Sequence, residues 1–169
     1  TLDAPAMAPL RPQVPVLERG GTYVLDIATR AVKMGHEFTQ GTADSNEVWL
    51  DVEAKTADAV AGRSGGMGPG NGVDPWSKFL NVFMLDRNGF RIDRRNPQDI
   101  FTPLYNHQVP PGGADVTHFV LHVPDWAGDT LKVRVALQYR KFDLTYLRHI
   151  RGTDVTNDLP VVTLATDEL

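Results

Sequence analysis

Along much of the chain, apolar and polar side chains alternate at every second position, the period of a half-buried β-strand. The clearest run covers 130–140. There Leu131, Val133, Val135, Leu137 and Tyr139 share one face, and Lys132, Arg134, Gln138 and Arg140 share the other. Residues 47–55 set Val48, Leu50, Val52 and Ala54 against Trp49, Asp51, Glu53 and Lys55. In 22–32, Tyr23, Leu25, Ile27 and Ala31 oppose Asp26 and Arg30, and in 117–123, Phe119, Leu121 and Val123 oppose His118, Val120 and His122. A last strand is expected at 161–165. Residues 79–85 are apolar at both parities, which predicts a central strand covered on both faces. Asp86-Arg87-Asn88-Gly89 then reads as a tight turn with Gly89 at positive φ, and 91–93 as a short return strand.

Helix signals are few. Asp74 followed by Pro75 predicts one capped turn over 74–80, and 142–150 predicts a short helix. The stretch 62–72, GRSGGMGPGNG, reads as a flexible loop from its composition. Gly and Pro are frequent, at 15 and 12 of 169 residues, which argues against a helical bundle. The pattern therefore predicts an all-β fold, an antiparallel two-sheet sandwich of about seven strands with one or two short helices. Pro5, Pro9, Pro12 and Pro15 make 1–20 an extended arm or linker, and 21–169 a single sandwich domain.

Composition narrows the function. The net charge of −4 gives no basic field for nucleic acid. No apolar run approaches the roughly 20 residues of a membrane-spanning helix. There is no cysteine, which removes disulfides, thiolate metal sites, a thiol nucleophile and covalent haem attachment through Cys-x-x-Cys-His. The chain opens at Thr1 instead of Met, and the expectation is a processed or proteolysed product.

Candidate chemistry is sparse. Ser45 and Ser64 sit in no strand–turn–helix elbow. Asp44, Glu47 and Asp51 are oxygen donors without the spacing of a calcium loop. No acid–base or nucleophile constellation is visible, so the expectation is a domain without catalytic activity of its own. His118 and His122 are four apart on a strand, roughly 13 Å, too far to chelate one metal. His149 lies beside Arg148 and reads as surface. His36 and His107 differ, because both lie in loops, His36 before Gly41-Thr42 and His107 before Pro110-Pro111-Gly112. A neutral imidazole on a loop suits axial ligation of haem iron. The plain alternative for both is a structural or surface histidine. Arg87, Arg91, Arg94 and Arg95 gather around one turn, either as a solvated face or to fork onto carboxylates such as haem propionates. Trp49, Trp76 and Trp126 are contact residues if the domain is instead a binding or adhesion module for carbohydrate or protein, and packing residues otherwise.

The run Gly35-His36-Glu37-Phe38 … Gly41-Thr42-Ala43-Asp44-Ser45-Asn46-Glu47-Val48-Trp49-Leu50 resembles the β-rich C-terminal regions of exported multihaem c-type cytochromes. Those carry Gly-His-x-Phe-x-x-Gly-Thr-x-Asp leading into a strand with an acidic-x-Trp start. The resemblance extends through Leu85-Asp86-Arg87-Asn88-Gly89, Leu104-Tyr105-Asn106-His107-Gln108-Val109-Pro110-Pro111-Gly112 and Tyr139-Arg140-Lys141-Phe142-Asp143, about 22–145 in all. Thr39 stands where the family often has Pro. The resemblance implies an accessory domain of an electron-transfer complex, packed on haem c that a multihaem cytochrome chain or another domain binds covalently. It makes His36 the first candidate for an axial iron ligand supplied in trans and His107 the second. It leaves Arg94 and Arg95 as candidates for contact with the haem.

Overall fold

The computed structural model describes residues 6–39, 41, 43–57 and 59–169. Pro5 of the arm and Thr42 of the Gly-Thr pair lie outside the described residues. Among those described, the strands are β1 (Thr22–Arg30), β2 (Glu47–Lys55), β3 (Val60–Ser64), β4 (Val82–Leu85), β5 (Thr102–Asn106), β6 (Ala114–His122), β7 (Lys132–Arg140) and β8 (Val162–Glu168). One helix, α1 (Leu144–Arg151), precedes β8. The all-β prediction holds, and every strand pairing is antiparallel.

The main sheet runs β3-β2-β7-β8, and two-stranded ribbons β1–β6 and β4–β5 accompany it. The alternation dictates how the layers close. Leu50, Val52 and Ala54 of β2 and Val133 of β7 point to one side and meet Leu25, Ile27, Phe119 and Leu121 of the β1–β6 ribbon. That contact is the sandwich core, driven by removing these side chains from water. At one end it runs into a second cluster, Ala31, Val48, Leu80 and Val109, against which Met34, Phe38, Leu137 and Tyr139 pack.

The opposite face of the main sheet is buried too, but by polar groups. Trp49 and Arg140 are each 1% exposed. Arg140 donates from Nε and Nη2 to Oε2 of Glu47, at 2.9 and 2.6 Å, and from Nη1 to the carbonyl of Asn71 at 2.8 Å. The Trp49 indole donates to the Gly65 carbonyl at 3.0 Å. Burial pushes the Glu47 carboxyl up to about 7 against the opposing pull of Arg140.

The cover over this pair corrects the flexible-loop expectation for 62–72. The segment holds the end of β3 and a short 3-10 turn at Pro69–Asn71. It is tied to the far end of the chain by Asn157 N to Gly70 O (2.8 Å) and Asn71 Nδ2 to Asn157 O (3.2 Å). Its glycines serve close approach. Gly65 has φ +88, and a Cβ there would meet the Leu50 carbonyl and come within 2.7 Å of Asp51 Cα.

Other expectations also change. Residues 79–85 do not form a central strand. Only Val82–Leu85 is strand, paired with β5, while Phe79 makes an isolated bridge to Trp49. The return strand at 91–93 reduces to a single bridge between Leu85 and Arg91. The turn itself is as predicted, with Gly89 at φ +83. Over 74–80 the chain makes a turn, not a helix. Asp74 still caps it, accepting from Trp76 N at 3.0 Å. In the arm, Arg11 reaches Asp167 and the Glu168 carbonyl of β8.

Candidate functional site

The connection from β1 to β2 carries His36 and is held at both ends. Ala31 N donates to Gly113 O at 3.1 Å, and Gly112 N to Ala31 O at 2.8 Å. Farther on, Phe38 and Val109 form an antiparallel bridge, with Phe38 N to Val109 O at 2.9 Å. Buried Thr39 donates from its hydroxyl to Leu80 O at 2.9 Å, and Gln108 Nε2 donates to Thr39 O at 2.8 Å. Met34 and Phe38 pack into the core on either side of His36, which is exposed. Lys33, in the same span, adopts left-handed φ 70.

Among the described residues the imidazole of His36 has one hydrogen-bond contact: Nδ1 lies 2.8 Å from the Glu37 carbonyl. A carbonyl only accepts, so Nδ1 carries the proton and donates, and in the neutral ring Nε2 keeps its lone pair. An exposed imidazole with a tethered Nδ1, and with Nε2 unbonded among the described residues, is the donor arrangement an incoming metal centre requires.

His107 is placed differently. It is half-buried, its ring stacked on Tyr105 with centroids 4.6 Å apart, its Nδ1 3.3 Å from Phe79 O. The backbone N–H of His107 donates to Asn81 O at 2.9 Å. It serves as packing between the β4–β5 ribbon and the segment beside β2. The Phe38–Val109 bridge brings the two histidine segments together. Because that bridge is antiparallel and each histidine precedes its bridging residue, the two residues lie beyond opposite ends of it.

The four arginines separate. Arg91 turns inward, 4.9 Å over the Phe83 ring and 3.4 Å from Asp143 Oδ2. Arg87 lies 4.9 Å over Phe101. Among the described residues Arg94 is bound only to the neighbouring Asp93, at 3.2 Å, and Arg95 is exposed at left-handed φ 56. Among the described residues no hydrogen bond or ion pair joins Arg94 or Arg95 to His36 or His107.

Other candidates are settled by their contacts. His118 and His122 stand on the outer face of the β1–β6 ribbon, with His118 Nδ1 2.6 Å from Asp26 and His122 Nδ1 3.1 Å from Thr22. The calcium set does not assemble: Glu47 is held by Arg140, and Asp51 lies 3.5 and 3.3 Å from Arg63 and Arg134. Among the described residues no group of three His, Cys, Asp or Glu is placed to share a metal ion. Ser45 is fully buried. Trp49 is core, whereas Trp76 and Trp126 are 91% and 57% exposed on separate turns. Among the described residues no helix is long and apolar enough to cross a membrane.

The strand pattern gave no notice of the corner at Phe90 and Phe101, which are 70% and 56% exposed. The available signal was an aromatic directly after the turn glycine, outside any alternating run.

None of the protein-family models and none of the curated proteins compared with the chain matches it. Among solved structures, a penta-haem cytochrome c552 from Thermochromatium tepidum is similar, with a TM-score of 0.61 and 17% sequence identity. The likeness covers 86% of this chain and 35% of that one, so this chain spans about a third of that cytochrome's length. At this identity the likeness concerns the fold.

Proposed function

We propose that this chain is a non-catalytic accessory domain of a multihaem electron-transfer assembly. It packs on c-type haems carried by another chain or domain and presents His36 to one iron as an axial ligand. The observation that carries the reading is the His36 imidazole, exposed, with Nδ1 committed to the Glu37 carbonyl. The fold shared with part of a penta-haem cytochrome supports it.

The residues fit a haem held elsewhere and not one attached here, since the chain has no cysteine. Bound in this way, the haem supplies one-electron chemistry. This chain's own parts do the rest. The Glu37 carbonyl fixes the tautomer, and Met34 and Phe38 anchor the loop. The apolar body keeps water from one side of the group, a means of setting potential through burial. An exported setting, periplasmic or extracellular, belongs to the same proposal. His107 is the weaker donor because its ring is stacked and half-buried.

The test is titration of the purified chain with a haem c peptide that has one open axial position, followed by visible absorption. The expected result is conversion to a low-spin, bis-histidine spectrum that H36A abolishes and H107A leaves intact. The same conversion in H36A removes His36 from the role. Absence of conversion in the unmodified chain, together with retention on a glycan array, favours a binding module built on Trp76 and Trp126 instead.

A further inference from the structure

We infer that the free edge of β1 receives an extended, uncharged segment of a partner polypeptide, which joins the β1–β6 ribbon as a third strand beneath the N-terminal arm. This goes beyond the haem contact proposed above and uses a different surface. The space beside the edge lies at the Thr22 end of β1, whereas His36 follows the Arg30 end.

Backbone geometry defines the edge. β1 and β6 pair without a register shift, from Thr22 opposite His122 to Arg30 opposite Ala114. Just outside the strands, Val123 N donates to Gly21 O at 2.9 Å and Ala31 N to Gly113 O at 3.1 Å. Opposed residues in an antiparallel ladder alternate between pairs that exchange hydrogen bonds and pairs that do not. Odd-numbered residues of β1 therefore bond to β6, and Thr22, Val24, Asp26, Ala28 and Arg30 turn their N–H and C=O groups to the other side. Among the described residues β1 pairs with β6 only, and none of those outward groups has a hydrogen-bond partner.

The layers leave room for a strand there. The main sheet has four strands and the ribbon two. Leu25 and Ile27 face the core yet are only half-buried, and every residue of β8 is exposed. The arm crosses this gap without filling it. Between arm and body lies an open cavity of about 1140 Å³, with Met7, Leu10 and Val14 on one side and Leu25, Leu131 and Val133 on the other. That exceeds the roughly 300–1,000 Å³ of small-molecule pockets. Thr22–Asp26 line it in unbroken succession, so the cavity runs along the strand edge.

The walls select the occupant. A row of unpaired N–H and C=O groups is completed by another extended backbone. Among the described residues, the charged side chains lining the cavity are already engaged, Arg19 with Asp129 at 2.9 Å and Asp26 with His118 at 2.6 Å. A charge on the incoming strand would lose its hydration for no uncommitted counter-ion. The occupant therefore carries apolar residues at alternate positions, set against Leu25 and Leu131. A second copy fits poorly, because two-fold pairing about the centre of β1 sets the two Asp26 carboxylates opposite each other.

The test adds a synthetic peptide of alternating valine and threonine to the isotope-labelled chain. N-methylation of alternate peptide amides leaves it one hydrogen-bonding edge, so it can add to β1 but not stack on itself. Exchange of the Val24, Asp26 and Ala28 amides should slow at least about tenfold on binding, because these N–H groups gain acceptors. V24P removes an outward N–H without touching a β1–β6 bond, and should lower affinity at least about tenfold with the melting temperature kept. A fully N-methylated peptide has no donor and should not bind, a comparison that needs no protein variant. No binding of the half-methylated peptide, equal binding of the fully methylated one, protection confined to β6 or β8, or unchanged affinity in folded V24P overturns the inference. The His36 test is independent: spectral conversion without edge protection overturns the added strand alone, and edge protection without conversion overturns the ligand role alone.

Discussion

Replacing Arg140 by Ala tests the buried polar face directly. Arg140 is 1% exposed and Glu47 7%, and two of the guanidinium nitrogens reach one carboxylate oxygen at 2.9 and 2.6 Å. R140A strands a buried carboxylate and releases the Asn71 carbonyl. Breaking such a pair from one side costs about 3–5 kcal/mol. That is a large share of the roughly 5–15 kcal/mol that holds a domain together. For a chain of this size, a drop in melting temperature of roughly 6–20 °C should follow, at about 2–4 °C per kcal/mol. The loss should depend on pH with a definite sign. The folded chain keeps the Glu47 proton to about 7, against an ordinary value of 4.5. Between those values the folded state binds more protons than the unfolded one, so stability falls as pH rises. The contribution is complete below the unfolded value and gone once pH passes the folded one. Its slope is at most about 1.4 kcal/mol per pH unit. Without Arg140 the carboxyl is pushed higher still, so R140A should be most destabilised near pH 8 and recover toward pH 5, where Glu47 can be neutral. E47Q should flatten this dependence. Urea unfolding followed by Trp49 fluorescence at several pH values measures it. A loss below about 1 kcal/mol, or one of equal size at pH 5 and 8, would refute the account of a desolvated pair.

Two further substitutions probe what holds the cover and the helix. G65A should destabilise by more than about 2 kcal/mol, since it combines φ +88 with a collision against the β2 backbone, whereas G89A, with open space around it, should cost less; denaturant midpoints compare them. D143A should lose about 1 kcal/mol, because Asp143 Oδ1 caps α1 through Tyr146 N at 2.6 Å. D143N should retain most of that stability in thermal melts followed by circular dichroism. It keeps the cap and removes a carboxyl that burial already drives toward its neutral form.

The strands that build the sandwich were legible because apolar and polar side chains alternate along β1, β2, β6 and β7, even where, as in β2, the polar face is covered as well. The reading at 47–55 coincides with β2, and those at 22–32, 117–123, 130–140 and 161–165 overlap β1, β6, β7 and β8. What failed had no such contrast. β3, with Ala61, Gly62 and Arg63, and β5, with Pro103, Leu104 and Tyr105, are short and largely exposed, so burial wrote no period into them. The run at 79–85 looked central because it is apolar at both parities, yet its residues divide between a bridge to β2 and a peripheral ribbon. The glycine-rich 62–72 was misread for the opposite reason: its glycines permit close packing instead of looseness, and composition alone does not separate the two. At the candidate site, His36 could be singled out by its loop setting. Its Nδ1 bond to a backbone carbonyl is a matter of loop conformation that no residue pattern encodes. The pairing of Glu47 with Arg140 was likewise hidden, because the two are 93 residues apart and meet only through the β2–β7 register.

The two backbone ties that bracket His36 bear on what recognition there would cost. Folding has already confined the chain at Ala31 and again at Phe38, so the conformational entropy of that span is spent before any partner arrives. Ordering a free, rotamer-rich side chain at an interface costs about 0.5–1.5 kcal/mol. An imidazole with its ring tethered to the next carbonyl has little of that left to lose. The loop is in this sense preorganised: its affinity for whatever it meets is set by the contact made, with little deducted for holding still.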